Sequence, residues 1–192
     1  MIRVAVLGDI GSGKSHVARL FGCPVFNADN EVAKLYKKNR KCFNKLKKAL
    51  PNYINSFPIT KTQISKAILE NENNLKKIIK IVHVEVRHQM DSFLKKNKKQ
   101  KIVVLDIPLL IENKINRRND VLIFIEGKRK EINKRLKKRA NFNLKIVKKF
   151  KKFQLSLEIK KRKSDFVIKN NFKNNYIKKS VKIIKDKILL NA

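Results

Sequence analysis

The chain has 192 residues, of which 42% are hydrophobic, so it can bury a substantial core as one α/β domain with an insertion. No apolar run approaches the length of a membrane span and no signal-peptide pattern precedes the first strand, which predicts a cytoplasmic protein without a membrane partner. Cys23 and Cys42 form neither a CxxC pair nor a metal-spaced cluster. Both are therefore predicted to be free thiols without a catalytic role.

The net charge is unusually high, because 49 Lys and Arg residues against 15 Asp and Glu residues give +34. Such a charge is typical of nucleic-acid-binding proteins. However, the lysines are spread along the whole chain, and no run interleaves aromatic with basic residues as a stacking platform would. We therefore expect a solvated basic surface that attracts anionic metabolites, and no specific nucleic-acid partner.

The first motif runs from Gly8 to Ser15 and fits G-x-x-x-x-G-K-[ST], the phosphate-binding loop. A β-branched run over 2–7 precedes it and a helix-forming segment over 16–21 follows it, which is the context that this motif requires. Glycines let backbone N–H groups turn toward phosphate oxygens, and the N-terminal end of the next helix favours the same anion. Lys14 is predicted to reach the β- and γ-phosphates, and the Ser15 hydroxyl to bind Mg²⁺.

A second strand is predicted over 25–29, ending in Asp29. In an open parallel sheet, ligands bind at the C-terminal ends of the strands, so this carboxylate would lie beside the phosphate-binding loop. There it could orient or deprotonate a hydroxyl that attacks the γ-phosphate. Asp29 also precedes a helical run over 31–36 and could instead be its N-cap. The spacing does not decide between these two interpretations.

Helical patterns dominate residues 37–100, and 73–94 predicts one long helix. So long a helical excursion between the second and third strands predicts an inserted substrate-binding subdomain, with bounds at 33–98. In the long helix, His83 and Arg87 are four residues apart and share one face. They are either a basic pair for an anionic substrate or ordinary solvent-facing charges of an amphipathic helix.

The strongest strand pattern, over 101–106, ends in Asp106, as in the Walker B motif whose acid binds Mg²⁺ directly or through water. A fourth strand is predicted over 120–125 and a fifth over 164–171. The fifth carries Asn170 to the same edge of the sheet, near the base of a nucleotide in such a fold. The asparagines at its end could equally be turn residues.

A strongly basic helical stretch starts at Lys128 and reaches Arg139, and residues 141–162 suggest a helical hairpin. Small P-loop kinases place a mobile lid here, and its arginines close over the phosphates. We therefore predict a lid over 139–163, in which Arg139 stabilises transition-state charge. The last helix, over 176–190, is apolar on one face and should pack on the sheet.

Together these residues resemble the dephospho-CoA kinase family, nearly from end to end. The segment D-I-P-L-L-I-E, residues 106–112, is the most distinguishing one after the phosphate-binding loop. The other matching segments and residues are Ile10–Ser15, Asn27–Asp29, His83–Arg87, Arg139, Gln154, Glu158, Asp165–Ile168 and Asn170.

The resemblance implies a P-loop NTPase-type three-layer α/β fold, in which a five-stranded parallel sheet carries an inserted helical CoA-binding subdomain and a helical lid. It implies transfer of the γ-phosphoryl group of ATP, with Mg²⁺, to the 3′-hydroxyl of dephospho-CoA, the last step of coenzyme A synthesis. Its partners would be these small molecules, and the chain would act as a monomer or small homo-oligomer.

The resemblance also implies roles for individual residues. Catalysis would depend on Asp29 as the base and on Lys14 and Arg139. The implied ATP-binding residues are Gly8, Gly11, Ser12, Gly13, Lys14, Ser15, His16, Arg139 and Asn170. The implied acceptor-binding residues are Asp29, His83, Arg87, Asp106, Pro108 and Leu109, and the implied Mg²⁺ ligands are Ser15 and Asp106.

Some positions depart from the family pattern: Leu7 and Asp9 stand where the family has Thr and Gly, Asn27 replaces the first acid of D-A-D, and Val84 replaces a proline. A carboxylate at position 9 beside phosphates is electrostatically unfavourable unless it turns toward the acceptor or a cation. The acceptor side deviates more than the ATP side. Two alternatives therefore stay open, a P-loop kinase for another nucleotide-like acceptor and an NTPase stimulated by nucleic acid.

Overall fold

The computed structural model describes residues 1–138 and 142–191, so Arg139 lies outside the described residues. The chain divides into two compact units. The first unit comprises Met1–Asn27, Asn97–Phe142 and Phe153–Ala192, and the second comprises Ala28–Lys96 and Asn143–Lys152.

The described residues form a five-stranded sheet and a set of helices. The strands are β1 (Ile2–Gly8), β2 (Val25–Asn27), β3 (Ile102–Asp106), β4 (Val121–Gly127) and β5 (Phe166–Asn170). The helices are α1 (Lys14–Leu20), α2 (Ala28–Lys38), α3 (Arg40–Ala49), α4 (Lys61–Glu70), α5 (Glu72–Lys96), α6 (Arg129–Lys137), α7 (Leu144–Lys151), α8 (Leu157–Arg162) and α9 (Asn174–Leu190).

The sheet of the first unit is parallel throughout, in the order β2-β3-β1-β4-β5, which confirms the predicted five-stranded parallel sheet. The central strand β1 pairs with β3 and with β4, and its buried run has the continuous apolar character of a strand covered on both faces. Because the strands are parallel, their C-terminal ends share one edge of the sheet. These ends are Gly8, Asn27, Asp106, Gly127 and Asn170.

One face of this sheet is covered by α1 and α9. Val17 of α1 and Phe21, the C-cap of this helix, belong to the same buried cluster as Val4 and Ile123 of the sheet. The apolar stripe of α9 joins this cluster, which confirms the predicted packing of the last helix; its buried residues are Ile177, Val181, Ile184 and Ile188. The cluster therefore anchors α1, and with it the loop that precedes this helix.

At the opposite edge, where the strands begin, Arg3 and Asp120 form a buried ion pair. Arg3 Nε lies 2.9 Å from Asp120 Oδ1, and Asp120 Oδ2 accepts hydrogen bonds from Arg3 Nη2 at 3.0 Å and from the Arg117 N–H at 2.9 Å. Burial raises the pKa of Asp120, although these donors act in the opposite direction. Such a pair adds little net stability, whereas removing one partner costs about 3–5 kcal/mol because the other charge stays buried.

The second unit is helical. The predicted long helix over 73–94 is confirmed as α5, and α2, α3 and α4 contact it. The helix α7 lies against α4, where Lys149 Nζ donates hydrogen bonds to the carbonyls of Ile68 (2.7 Å) and Leu69 (2.9 Å). Lys149 thereby satisfies carbonyls of the last turn of α4. The helix α7 thus belongs to this unit, while α8 belongs to the first. The insertion at 33–98 and the lid at 139–163 stay predictions.

Cys23 and Cys42 are free thiols, as predicted. Cys42 is fully buried in α3, and burial together with the negative charge of Glu85 raises its pKa to about 11. At neutral pH this thiol is protonated, so it is a poor nucleophile. Within residues 1–138 and 142–191, no helix is long and apolar enough to cross a bilayer.

Candidate active site

The loop between β1 and α1 has the backbone that a phosphate-binding loop requires. Gly8 and Gly13 have φ angles of 143° and 94°. A Cβ on Gly8 would lie 2.6 Å from the Ile125 carbonyl oxygen, and one on Gly13 would lie 2.4 Å from Asn170 Nδ2. Both positions are therefore restricted to glycine.

Lys14 lies over the loop that precedes it. Its Nζ donates hydrogen bonds to the carbonyl oxygens of Gly8 (3.3 Å) and Asp9 (2.8 Å). These carbonyls hold the ammonium group at the C-terminal end of β1, where the motif predicts the β- and γ-phosphates. Ser12 is fully buried, and its Oγ has no hydrogen-bond partner among the residues that the structure describes.

The carboxylate of Asp9, which departs from the family pattern, is engaged within the loop. Its Oδ1 accepts a hydrogen bond from the Ile10 N–H at 2.7 Å, and its carbonyl oxygen accepts from the Ser12 N–H at 3.1 Å. Asp9 is buried, and its side chain therefore stabilises the turn itself. This local role accounts for an acid at a position where phosphate chemistry alone would disfavour one.

Asp106 ends β3 and is buried beside the end of β2. Asn27 is its register partner on β2, and Asn27 Nδ2 donates a hydrogen bond to Asp106 Oδ2. A second carboxylate at position 27 would place two negative charges against each other. The amide of Asn27 instead pairs with the acid that the Walker B pattern assigns to Mg²⁺, so this departure is compatible with an intact site.

The donors at this edge suit Mg²⁺. Ser15 is the last residue of the loop motif and lies in the first turn of α1, and Asp106 ends the strand adjacent to β1. A hydroxyl and a carboxylate are hard oxygen ligands, and kinase sites bind Mg²⁺ through one or two protein groups plus phosphates and water. The described part of the chain has no group of three or more His, Cys, Asp or Glu side chains that could hold a metal ion, and a site of this type does not need one.

Asn170 braces the phosphate-binding loop from the end of β5. Its Nδ2 donates a 2.7 Å hydrogen bond to the Ser12 carbonyl, and its Oδ1 accepts a 2.8 Å bond from the Phe172 N–H. The side chain is buried, and both ends of the amide are occupied.

Two further contacts lie near this asparagine. The Arg135 guanidinium carbon lies over the ring of Phe172, 4.5 Å from the ring centroid. His16 is nearby on α1, with Nε2 3.2 Å from Asn174 Oδ1. Contact of Asn170 or His16 with ATP stays a prediction.

Replacing Asn170 by aspartate should weaken ATP binding. The substitution removes the donor to Ser12 and places a carboxylate oxygen against a carbonyl oxygen. A buried polar group left unpaired costs about 1–3 kcal/mol, so the Kd measured by calorimetry should rise roughly 5- to 150-fold. The matched control is Asn171→Asp, which adds the same charge at an exposed site and keeps the oxygen that accepts the Lys173 N–H. Equal affinities for the two variants would contradict the brace.

The loop over 107–112 shares a cavity with the phosphate-binding loop. The lining residues are Val6, Leu7, Gly8, Lys14, Ile107, Pro108, Leu109, Leu110, Glu112, Gln154 and Lys160. Pro108 and Leu109, implied as acceptor-binding residues, therefore lie around the same small space as Lys14. Leu109 has a positive φ of 59°, and the Asn113 side chain donates to its carbonyl at 2.8 Å, which fixes the turn.

The predicted strand end at Asp29 is wrong. The strand β2 ends at Asn27, and α2 begins at Ala28, so Asp29 lies in the first turn of α2. It therefore does not precede the helix as an N-cap either. Glu31 is the other acid of this turn, and both carboxylates interact favourably with the positive end of the helix dipole. The role of Asp29 as a base stays a prediction.

His83 and Arg87 lie in α5 of the second unit. His83 is half-buried and Arg87 is exposed. Burial lowers the pKa of His83, and the positive charge of Arg87 lowers it further. The imidazole is therefore mostly neutral at pH 7, and the two residues carry one positive charge rather than two.

The sequence did not predict two contacts of this site: the ion pair of Lys160 Nζ with Glu112 Oε1, 2.7 Å apart, and the hydrogen bond from Asn170 to the Ser12 carbonyl. Lys160 is one of 49 basic residues, and its pattern does not separate it from the solvated ones. The acceptor of the Asn170 amide is a backbone carbonyl, which every residue supplies. Only the fold brings these groups together.

Comparison with known proteins identifies the family. The family model described as dephospho-CoA kinase matches residues 2–175. Among curated proteins, the chain is similar to the dephospho-CoA kinase of Wolbachia pipientis wMel (34% identity over 98% of this chain and 99% of the relative). It is also similar to that of Wolbachia sp. subsp. Brugia malayi (31% identity over the same shares).

Solved structures share the fold. A protein from Thermus thermophilus superposes with a TM-score of 0.75 and 23% identity over 97% of both chains. The dephospho-CoA kinase from Campylobacter jejuni superposes with a TM-score of 0.63 and 20% identity, over 97% of this chain and 96% of that one. A shikimate kinase from Bacteroides thetaiotaomicron gives 0.53 and 12% identity, over 100% and 99%. These neighbours confirm the predicted P-loop NTPase-type fold, and by sequence the chain belongs to the dephospho-CoA kinase family.

Proposed function

We propose that this chain transfers the γ-phosphoryl group of ATP to the 3′-hydroxyl of dephospho-CoA, giving coenzyme A and ADP. The family match over residues 2–175 supports the reaction. The observation that carries the proposal is the cavity in which Lys14 of the phosphate-binding loop meets Pro108 and Leu109 of the loop after β3. This cavity joins the group that binds phosphate to the most distinguishing segment of the family.

On the nucleotide side, the loop from Gly8 to Ser15 wraps the phosphates with its backbone N–H groups. Lys14 Nζ exchanges its carbonyl partners for phosphate oxygens and offsets the charge that develops during transfer. Ser15 and Asp106 would hold Mg²⁺, which neutralises phosphate charge when bound. Asn170 keeps the loop in shape through the Ser12 carbonyl.

On the acceptor side, Asp29 takes the proton of the 3′-hydroxyl. The oxygen then attacks the γ-phosphorus, the bond to the β-γ bridging oxygen breaks, and ADP leaves with that electron pair. Arg87 and the neutral imidazole of His83 line the acceptor site in this proposal, and Arg139 closes over the phosphates. Positioning of the reacting oxygen, rather than covalent chemistry by the protein, supplies most of the acceleration.

A coupled assay of ADP release with an acceptor panel tests the proposal. Dephospho-CoA should stimulate ADP release from Mg·ATP well above the rate without acceptor, whereas adenosine, AMP and shikimate should not. Preparations of the Lys14→Ala variant, purified in parallel, control for contaminating kinases. If dephospho-CoA gives no stimulation while another compound of the panel does, the chain phosphorylates a different acceptor. Stimulation by RNA or DNA alone would favour a nucleic-acid-dependent NTPase.

A further inference from the structure

Glu112 and Lys160 form a buried ion pair in the first unit. Lys160 Nζ lies 2.7 Å from Glu112 Oε1, and the two side chains are only 4% and 10% exposed. The same Glu112 oxygen accepts a hydrogen bond from the Leu155 N–H at 3.0 Å. A lysine this deeply buried is rare, and a lysine is almost never fully buried unless it is paired.

The pair joins two segments of the chain beside the phosphate-binding loop. Glu112 ends the loop over 107–112, whereas Leu155 precedes the N-cap of α8 and Lys160 lies within α8. Glu112 and Lys160 both line the cavity that contains Gly8 and Lys14, and α8 packs on β1. The Ser164 hydroxyl donates to the Lys160 carbonyl at 2.8 Å, which secures the end of α8.

A buried ion pair is a poor device for stability, because desolvation of the two charges offsets most of their attraction. Such a pair instead fixes geometry, because a carboxylate that accepts hydrogen bonds from both an ammonium group and a backbone N–H holds three groups in place relative to one another. Here the fixed groups carry Pro108 and Leu109 on one side and Gln154 on the other. A displacement of about 1 Å in such a site costs about 10²-fold in rate.

We propose that Glu112 is a positioning residue for phosphoryl transfer. Through Lys160 and the Leu155 N–H it holds the 107–112 loop in register with the phosphate-binding loop, so that the acceptor meets the γ-phosphate. This inference rests on the proposed function. It concerns the acceptor step, because the loop that Glu112 ends carries Pro108 and Leu109, the residues implied to bind the acceptor.

The Glu112→Gln variant tests the inference, because it keeps the size and an oxygen that can accept the Leu155 N–H but removes the charge that Lys160 needs. We expect kcat with dephospho-CoA to fall about 10- to 100-fold. The KM for ATP and the slow hydrolysis of ATP without acceptor should stay within about threefold of wild type. Lys160→Arg, which keeps the pair, should retain most of the wild-type kcat. The double variant Glu112→Gln/Lys160→Met should be no slower than Glu112→Gln, since the pair acts as a unit.

Asp120→Asn is the matched control, because it removes the carboxylate of the buried Arg3–Asp120 pair at the opposite edge of the sheet. Both carboxamide variants should lower the melting temperature, but only Glu112→Gln should lower kcat at a temperature where circular dichroism shows both folded. An unchanged kcat for Glu112→Gln, or an equal loss in Asp120→Asn, overturns the inference. Wild-type protein that does not use dephospho-CoA overturns the proposed function instead, so the two failures are distinguishable.

Discussion

Replacing Asp29 by asparagine should slow turnover with dephospho-CoA by about 10²–10⁴-fold, the typical contribution of a positioned general base. The amide keeps the size and polarity of the side chain but cannot take the proton of the attacking hydroxyl. ATP binding should survive, because the groups proposed to hold the phosphates, which are residues 8–15 and Arg139, do not include Asp29. Steady-state kinetics with varied acceptor, together with calorimetry of ATP binding, measure the two quantities separately.

Glu31→Gln is the control for this variant. Glu31 and Asp29 are both acids of the first turn of α2, so each substitution removes one favourable interaction with the helix dipole, about 0.3–1 kcal/mol. Glu31 also pairs with Lys34 at 2.7 Å, an exposed interaction that contributes little. Turnover of Glu31→Gln should stay within about twofold of wild type. If Asp29→Asn behaves in the same way, Asp29 only stabilises the start of the helix.

Replacing Lys14 by alanine should lower kcat by about 10²–10³-fold, as removal of a single group that stabilises transition-state charge does. Its ammonium group is held by the Gly8 and Asp9 carbonyls at the end of β1. The loop should keep its backbone conformation, since the glycines and the Asn170 brace define it independently of this side chain. Rapid-quench measurement of a single turnover would report the loss in the chemical step directly.

Lys182→Ala controls for general charge. Lys182 is an exposed residue of α9, and its removal changes the net charge by the same single unit. In a protein with a formal charge of +34, one unit hardly alters the long-range attraction of anionic substrates. The control should keep wild-type kinetics. A comparable loss in both variants would mean that bulk charge, and not the location of Lys14, governs the rate.

The sheet could be predicted because its strands are short apolar runs that end in recognisable polar residues. The residue at which β2 ends could not be predicted, because Asn27 and Asp29 both fit the end of a strand in the sequence F-N-A-D. Acids in the first turn favour helix initiation. The helix α2 begins at Ala28, so the last two residues of the predicted strand over 25–29 belong to the helix instead. Boundaries of this kind depend on a competition between strand pairing and helix capping that a single sequence does not resolve.

The sequence alone led to proposed roles where the residue type is informative, as for Lys14 and Asp106, and these roles stay predictions. The contacts that hold these residues in place could not be predicted from the sequence. In the sequence, Asn27 is only the loss of an acid of the family pattern. In the structure, its amide donates a hydrogen bond to Asp106. In the sequence, Asp9 is an unfavourable charge beside the phosphates. In the structure, its carboxylate accepts a hydrogen bond from the Ile10 N–H. Such roles depend on partners that only the folded chain brings within hydrogen-bond distance.

Val84, which stands where the family pattern has a proline, lies within a continuous helix. This residue is 47% exposed within α5, where a proline would remove a backbone hydrogen bond of the helix. Valine therefore lets α5 run without interruption from Glu72 to Lys96. The change lies beside His83 but adds no charge and removes none, so it does not by itself argue for a different acceptor.

The most direct test of the account is the identity of the product. Purified protein, ATP, Mg²⁺ and dephospho-CoA should yield equimolar ADP and a product heavier by one phosphoryl group. In ³¹P-¹H correlation spectra, the new phosphomonoester should couple to the ribose H3′. Absence of this product, or a phosphate on any other hydroxyl, would contradict the account.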